Sequence, residues 1–93
     1  MKYIEEVEDI FDISGRGCVI VPGIPYSFEP KIGKDSILEF QNPSGSKVTA
    51  RIMCFEMINR GKLTQYAPFS LERNIKKSDI EKGAKIYLVN DNG

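Results

Sequence analysis

The sequence of 93 residues contains no histidine and no Cys-x-x-Cys pair, and these absences exclude several kinds of site. The usual zinc sites need histidine and cysteine ligands, and Ser-His-Asp or Cys-His catalysis needs an imidazole base. The chain also has no Gly-x-x-x-x-Gly-Lys-Ser/Thr loop, so we expect no binding or hydrolysis of GTP by this chain. These absences predict a protein that is not an enzyme and that holds no metal and no cofactor.

The chain also lacks net charge, because 13 basic residues balance 13 acidic ones. A protein that holds long nucleic acids by charge alone needs a basic excess on at least one face. That class is therefore disfavoured, although a net charge of zero is compatible with a basic patch on one face of the protein. No apolar run approaches the roughly 18 residues of a membrane span, and the first residues, MKYIEEVEDIF, lack the apolar segment of a signal peptide. We expect one domain over residues 1–93, in the cytoplasm and without membrane contact.

Only two cysteines are present, Cys18 and Cys54, and each lies in an apolar strand pattern. A free cysteine in such a pattern behaves as a small buried hydrophobe. The sequence therefore predicts two reduced, buried thiols, which fits a reducing compartment.

Strand patterns fill most of the chain and predict an all-β fold, a small closed, mainly antiparallel β-barrel of about six strands. Turns with glycine separate the strands at SGRG and NPSG, and one helical turn is expected near 78–82. The proline-rich segment 22–33 is expected to be a loop or an edge. The predicted strands are residues 3–13, CVIVPGI (18–24), SILEFQ (36–41), SKVTARIMCFEMI (46–58), FSLER (69–73) and AKIYLV (84–89).

Alternation along these strands predicts which side chains are buried. In residues 3–13 the apolar phase includes Phe11 and is interrupted by Asp9; in the longest strand Glu56 interrupts it. A buried, unpaired carboxylate is costly. Glu56 therefore either lies at an open end of the barrel or pairs with a base such as Arg60 or Arg73. The same two alternatives, an open end or a basic partner, apply to Asp9. The predicted core contains Phe11, Ile20, Ile52, Cys54, Leu71 and Ile86.

Four blocks of sequence, in the same order, resemble the second domain of elongation factor Tu, the β-barrel domain shared by translational GTPases. The blocks are VEDIFDISGRGCVIVPG (7–23), PKIGKDSILEF (30–40), CFEMINR (54–60) and ERNIKKSDIEKGAKI (72–86). The resemblance covers about residues 5–89 and implies the same barrel. The GTP-binding domain of that family is absent from this sequence, so the resemblance does not carry nucleotide hydrolysis with it.

In that family one face of the barrel receives the terminal adenosine and the esterified amino acid of aminoacyl-tRNA, and it also contacts the GTPase domain and ribosomal RNA. The resemblance implies that Glu8, Asp9 and Phe11 lie around the aminoacyl group. Apolar walls would enclose a base while a carboxylate accepts a hydrogen bond from an amine or a hydroxyl group. Arg16 is either a phosphate contact or a solvated turn residue. The positions that match the adenine pocket are Ile13, Gly15, Val19, Glu56 and Leu71.

Several positions depart from the family pattern. Cys18 replaces a threonine after the turn, and Asn74 replaces a glycine. Ala67 falls where the family has an asparagine, so one hydrogen-bonding partner of the aminoacyl group is missing. We therefore expect the chain to bind the aminoacyl group only weakly. The segment PGIPYSFE (22–29) is unlike the family, and its Tyr26 and Phe28 either form an exposed patch or fold back over the barrel.

Two functions remain open from the sequence. The first is a non-catalytic binding module that engages an RNA 3′ end or a translation-related partner, such as the aminoacyl-tRNA end, ribosomal RNA or a translational GTPase. The alternative is a protein-interaction module, an adaptor, immunity or decoy protein, that uses the barrel without binding RNA. An enzyme is a third class and has the least support. Fold analogy alone does not choose between the first two.

Overall fold

Seven β-strands and one short 3₁₀ helix make up the fold in a computed structural model, which describes residues 1–15, 17–56 and 65–89. The all-β class predicted from the sequence is confirmed, and the helical turn expected near 78–82 lies at Lys77–Asp79. The strands are β1 (Lys2–Glu6), β2 (Asp9–Ile13), β3 (Gly17–Pro25), β4 (Ile37–Gln41), β5 (Lys47–Phe55), β6 (Tyr66–Leu71) and β7 (Lys85–Leu88).

The strands form one antiparallel sheet in the order β1-β7-β4-β5-β6-β3-β2. The long β5 connects its two halves, because residues 47–51 pair with β4 and residues 52–55 pair with β6. Two successive residues connect strands from opposite ends of the sheet. The amide of Val7 donates to the carbonyl oxygen of Ala84, just before β7, and the amide of Glu8 donates to the carbonyl oxygen of Val21 in β3, both at 2.8 Å. The sheet therefore curls around one core. The prediction that the sheet closes into a barrel, with hydrogen bonds between its first and last strands, stays a prediction.

The core fills the inside of this curled sheet with aliphatic and aromatic side chains. Ile20, Ile52, Leu71 and Ile86 are fully buried, as the sequence predicted. Burial of each such side chain stabilises the fold by about 1.5–3 kcal/mol. The cluster consists of Ile4, Val7, Ile10, Cys18, Ile20, Ile24, Leu38, Phe40, Ala50, Ile52, Phe69, Leu71, Ile75, Ile80, Ala84 and Ile86.

The N-terminal segment forms two strands rather than the single strand predicted over residues 3–13. In the pairing of β2 with β3, Ile10 lies opposite Ile20 and Phe11 lies opposite Val19. Ile10 therefore faces the core, whereas Phe11 faces outward and is 39% exposed. The prediction of a buried Phe11 is wrong, because the break between β1 and β2 resets the alternation that the apolar pattern had indicated.

A β-bulge in β5 places Cys54 on the outer face of the sheet. Ile52 pairs with Leu71 and Cys54 pairs with Ser70, so Met53 is an additional residue in β5 with no counterpart in β6. An additional residue inverts the alternation of side chains beyond it. Cys54 is therefore exposed, and the predictions that it belongs to the core and carries a buried thiol are wrong.

The prolines in segment 22–25 lie within β3, which corrects the prediction that a loop or edge begins there. After an irregularity β3 pairs with β6 again, with Ile24 opposite Ala67. Gly23 permits this close approach: its φ is +105°, and a Cβ built on it would lie 2.1 Å from the carbonyl oxygen of Ala67. Glycine alone tolerates such a position. Residues 26–33 lie outside the strands, as expected for the rest of the segment.

The buried Asn42 joins the turn between β4 and β5 to the loop before β7. Its side-chain amide donates to Ser46 Oγ and to the carbonyl oxygen of Asp79, both at 3.0 Å. Its Oδ1 accepts from the backbone amide of Glu81, also at 3.0 Å. The turn predicted for NPSG is confirmed, since the amide of Gly45 donates to the carbonyl oxygen of Asn42 at 2.9 Å.

Candidate functional site

Side chains from four strands form a continuous row on the outer face of the sheet, which we call the outer row. Phe11 of β2 pairs with Val19 of β3, and Val19 pairs with Ser70 of β6. Ser70 in turn pairs with Cys54 of β5, and its Oγ donates to the carbonyl oxygen of Cys54 at 3.3 Å. Directly paired residues point to the same side of a sheet. Cys54 could not be placed in this row from the sequence, because its outward orientation depends on the bulge. Ser70 joins the row through its register with Val19, which no local pattern specifies.

Exposed apolar side chains lie at the β2 end of the outer row. Phe11 and Ile13 are two residues apart in β2, so they share one side of the strand. They are 39% and 38% exposed. Gly15, in the turn that follows, is exposed as well. The structure therefore brings together three of the residues that the resemblance assigns to a ligand pocket.

The two acids of this segment differ in their surroundings. Glu8 is exposed, and Asp9 is half-buried at the start of β2. Asp9 shares the side of β2 that carries Phe11, and its Oδ1 lies 3.7 Å from Lys82 Nζ. A surface ion pair of this kind contributes about 0–1 kcal/mol. Asp9 is thus paired with a base, and its carboxylate remains accessible beside the outer row.

Glu56 follows β5 directly and lies beyond the bulge. Its amide donates to the carbonyl oxygen of Pro68 at 2.9 Å, which extends the pairing of β5 with β6. Because the bulge inverts the alternation, Glu56 shares the phase of the outward Cys54 rather than that of Ile52 in the core. The side chain is 8% exposed. Arg60, one of its two candidate partners, lies outside the described residues.

Two residues that the resemblance assigns to the ligand pocket are fully buried. Leu71 belongs to the core and pairs with Ile52, so its side chain is not on the outer face. Val19 lies within the outer row but is also fully buried. Val19 therefore supports its exposed neighbours instead of offering a surface of its own. Arg16 lies outside the described residues.

The turn before β3 needs glycine for its backbone conformation. Gly15 and Gly17 both have φ of +83°, a region that residues with a Cβ adopt rarely. Arg73, the other candidate partner of Glu56, donates from Nη2 to the carbonyl oxygen of Gly15 at 3.1 Å. The SGRG turn is thus fixed at the exposed end of β2, next to Phe11 and Ile13.

The two thiols have different environments. Cys18 Sγ is buried, as predicted, and donates to the carbonyl oxygen of Ile75 at 3.3 Å. Burial raises the pKa of the Cys18 thiol, and the charges of Asp12 and Asp79 raise it further. The thiolate is the nucleophilic form, so this environment keeps Cys18 unreactive. Cys54 is free and exposed.

Within residues 1–15, 17–56 and 65–89, no three side chains of the metal-binding types come together in a cluster. In the same part of the chain, no helix has the length and apolar character needed to cross a membrane.

The segment 26–33 carries the two aromatic residues whose placement the sequence left open, and each follows a different alternative. Phe28 folds back and packs against the core. Lys2 holds it there, with Nζ 5.0 Å from the ring centroid and a hydrogen bond from Nζ to the carbonyl oxygen of Glu29. Tyr26, in contrast, is 58% exposed.

Comparisons of this chain with known protein families, with curated proteins and with solved structures found no match. The resemblance to the second domain of elongation factor Tu therefore rests on the four blocks of sequence alone.

Proposed function

We propose that this chain is a non-catalytic binding module whose ligand contacts Phe11 and Cys54, the exposed ends of the outer row, and Ile13 beside it, while Val19 and Ser70 support them from below. The resemblance implies the ligand: an RNA 3′ end, such as that of aminoacyl-tRNA, or a translation-related partner. The observation that carries the proposal is the strand pairing of Phe11, Val19, Ser70 and Cys54. This pairing joins two of the resembling blocks, far apart in sequence, on one face.

The chemistry of this face suits the end of an RNA chain. Phe11 offers an exposed ring, and base–aromatic stacking contributes about 1–3 kcal/mol per base. Ile13 extends the apolar contact along β2. The carboxylate of Asp9 lies on the same side and can accept a hydrogen bond from an exocyclic amine or a ribose hydroxyl group. Binding would thus depend on stacking and hydrogen bonds, as expected for a chain with no net charge.

The same exposed side chains also favour the second candidate, a protein partner. Phe11 and Ile13 form an apolar surface next to the charged Asp9 and Lys82. An apolar centre with a polar rim is the usual anatomy of a protein interface. A translational GTPase, or the partner of an adaptor, immunity or decoy protein, would bury this surface without any RNA.

A titration of the isotopically labelled chain with a short 3′-CCA oligonucleotide and with an aminoacyl-adenosine, followed by NMR, tests the RNA candidate. We expect shift changes in residues 9–15, 18–19 and 54–56, and binding about tenfold weaker in Phe11→Ala, because stacking is lost. Tyr3→Ala is the control, since Tyr3 is an exposed aromatic residue of β1. No shift changes at millimolar ligand would end the RNA candidate and leave the protein partner.

Glu56→Ala separates a ligand-binding carboxylate from a structural one. If Glu56 serves a ligand, the variant should bind the 3′-CCA oligonucleotide more weakly while its stability stays unchanged or rises. If Glu56 is half of a buried ion pair, its removal should destabilise the fold by about 3–5 kcal/mol. Urea unfolding together with the NMR titration distinguishes the two results.

A further inference from the structure

A second surface of the molecule carries aromatic side chains that the outer row does not use. A cleft of about 220 Å³ opens between the segment after β3 and the facing ends of β5 and β6. Its walls include Phe28 and Phe55, which pack against the core from the inner side of the sheet. Tyr26 lies at its rim and the small Ala67 is part of its lining. We call this the aromatic cleft.

The walls of the aromatic cleft are held in place before any ligand arrives. The ring of Phe55 packs edge-on against the fully buried Phe69, with ring centroids 6.5 Å apart. Phe28 is held by the ammonium group of Lys2 over its ring. A preformed apolar site loses little conformational entropy on binding. Tyr26 is the exposed aromatic residue of the set and offers its ring to a ligand.

The charged side chains near the aromatic cleft lie on one side of it, around residues 31–35. Lys31 is the one charged residue in the described lining of the cleft. It also lines a neighbouring depression of about 350 Å³, together with Lys34 and Asp35. On the other side, Tyr26 also lines a depression of about 250 Å³ together with Tyr66, and none of its lining residues among those that the structure describes is charged. Aromatic rings thus lie next to a surface with a net positive charge.

We propose that the aromatic cleft binds the base of an unpaired nucleotide, stacked on Tyr26, with its phosphate at Lys31 and Lys34. The volume is below the roughly 300 Å³ at which pockets for drug-sized ligands begin, so a single ring system fits. Stacking on aromatic residues beside a basic surface is the usual way to hold single-stranded nucleic acid. The two exposed lysines attract a phosphate group, an attraction that an apolar protein side chain cannot use. The proposal uses other residues than the outer row and is independent of it.

NMR titration of the labelled full chain with five-nucleotide oligo-A and oligo-U, and with free AMP, tests the proposal. We expect shift changes at Ile24, Phe55 and Ala67, and binding that weakens as salt increases. Oligo-A that binds more tightly than AMP supports a single strand as the source of the nucleotide. Equal binding of AMP supports the same chemistry with a free nucleotide as the source.

Two variants with matched controls, and a third that fills the cleft, make the test specific. Tyr26→Ala and Lys31→Glu should each weaken oligonucleotide binding at least about fivefold, a typical loss for one stacking or phosphate contact. Tyr3→Ala and Lys47→Glu alter exposed residues of the same types elsewhere and should leave the affinity unchanged. Ala67→Leu should fill the cleft and abolish binding, and a thermal melt checks that this variant is folded.

The location of the shift changes separates this proposal from that for the outer row. Changes confined to Phe11, Val19 and Cys54 would overturn the aromatic cleft and support the outer row. Equal losses in the variants and their controls would also overturn the cleft. So would binding of an apolar phenylalanine peptide without binding of any nucleotide, which would assign the cleft to a protein partner. No shift changes with oligo-A, oligo-U or AMP would overturn the aromatic cleft and leave the outer row to its own titration with the 3′-CCA oligonucleotide.

Discussion

Replacement of Asn42 by alanine should destabilise this protein far more than a surface substitution. The change removes three hydrogen bonds at 3.0 Å and leaves the carbonyl oxygen of Asp79 and the amide of Glu81 without this partner. Each hydrogen bond contributes about 0.5–1.5 kcal/mol net. We therefore expect a loss of about 1.5–4.5 kcal/mol in the free energy of unfolding. The loss is large because Asn42 is buried, so water does not readily replace the hydrogen bonds that are removed.

Urea unfolding followed by far-ultraviolet circular dichroism measures this loss. Asn74→Ala, at an exposed position, is the control and should change stability by no more than about 0.5 kcal/mol. Asn42→Asp sharpens the test, because it keeps the acceptor for Glu81 but turns a carboxylate toward the carbonyl oxygen of Asp79. That repulsion raises the folded-state pKa of the new carboxyl group. Stability of Asn42→Asp should therefore fall as pH rises through that pKa and recover in acid.

A loss within about 0.5 kcal/mol for Asn42→Ala would refute this reasoning. It would mean that the two loops are held by other contacts, of which the hydrogen bond from Ser44 Oγ to the Glu81 carboxylate, at 2.6 Å, is the strongest candidate.

Three further predictions concern the core, the close approach in β3 and the thiols. Ile52→Ala should cost about 2–5 kcal/mol, whereas Met53→Ala should cost less than about 1 kcal/mol in urea unfolding; equal losses would contradict the outward orientation of Met53. Gly23→Ala should prevent folding or lower the melting temperature sharply, because its Cβ would collide with β6, and an unchanged melt would refute this. Iodoacetamide at about pH 8 should modify Cys54 quickly and Cys18 only after unfolding, as mass spectrometry can show; two fast thiols would disprove the burial. Since burial raises the Cys18 pKa, stability should decrease as pH rises above the ordinary thiol value of about 8.5, and this decrease should be absent in Cys18→Ala.

The sequence by itself determined the class of fold and most of the core. Strand patterns and glycine turns are local signals, so β4 and the turn at 42–45 could be located from a few neighbouring residues. Ile20 and Ile86 were predicted correctly because each lies in an uninterrupted apolar pattern. The glycines of the SGRG turn were also correct, since a positive φ restricts the residue type wherever the turn lies.

The candidate site depended on features that the local pattern does not contain. Phe11 points outward because the chain breaks between β1 and β2, and Cys54 points outward because Met53 is an additional residue in β5. Both events shift the alternation by one residue, and such a shift moves every later side chain to the other face. Glu56 acquired its outward phase in the same way.

Only the tertiary structure decided which distant residues meet. The outer row joins Phe11, Val19, Ser70 and Cys54 through three separate strand pairings, and no spacing in the sequence specifies those partners. The aromatic cleft likewise depends on the packing of segment 26–33 against β5 and β6. Hydrophobic periodicity specifies which side of a strand is buried, whereas strand order and register are set by the packing of the whole sheet. A binding surface built across several strands is therefore a property of the assembled sheet.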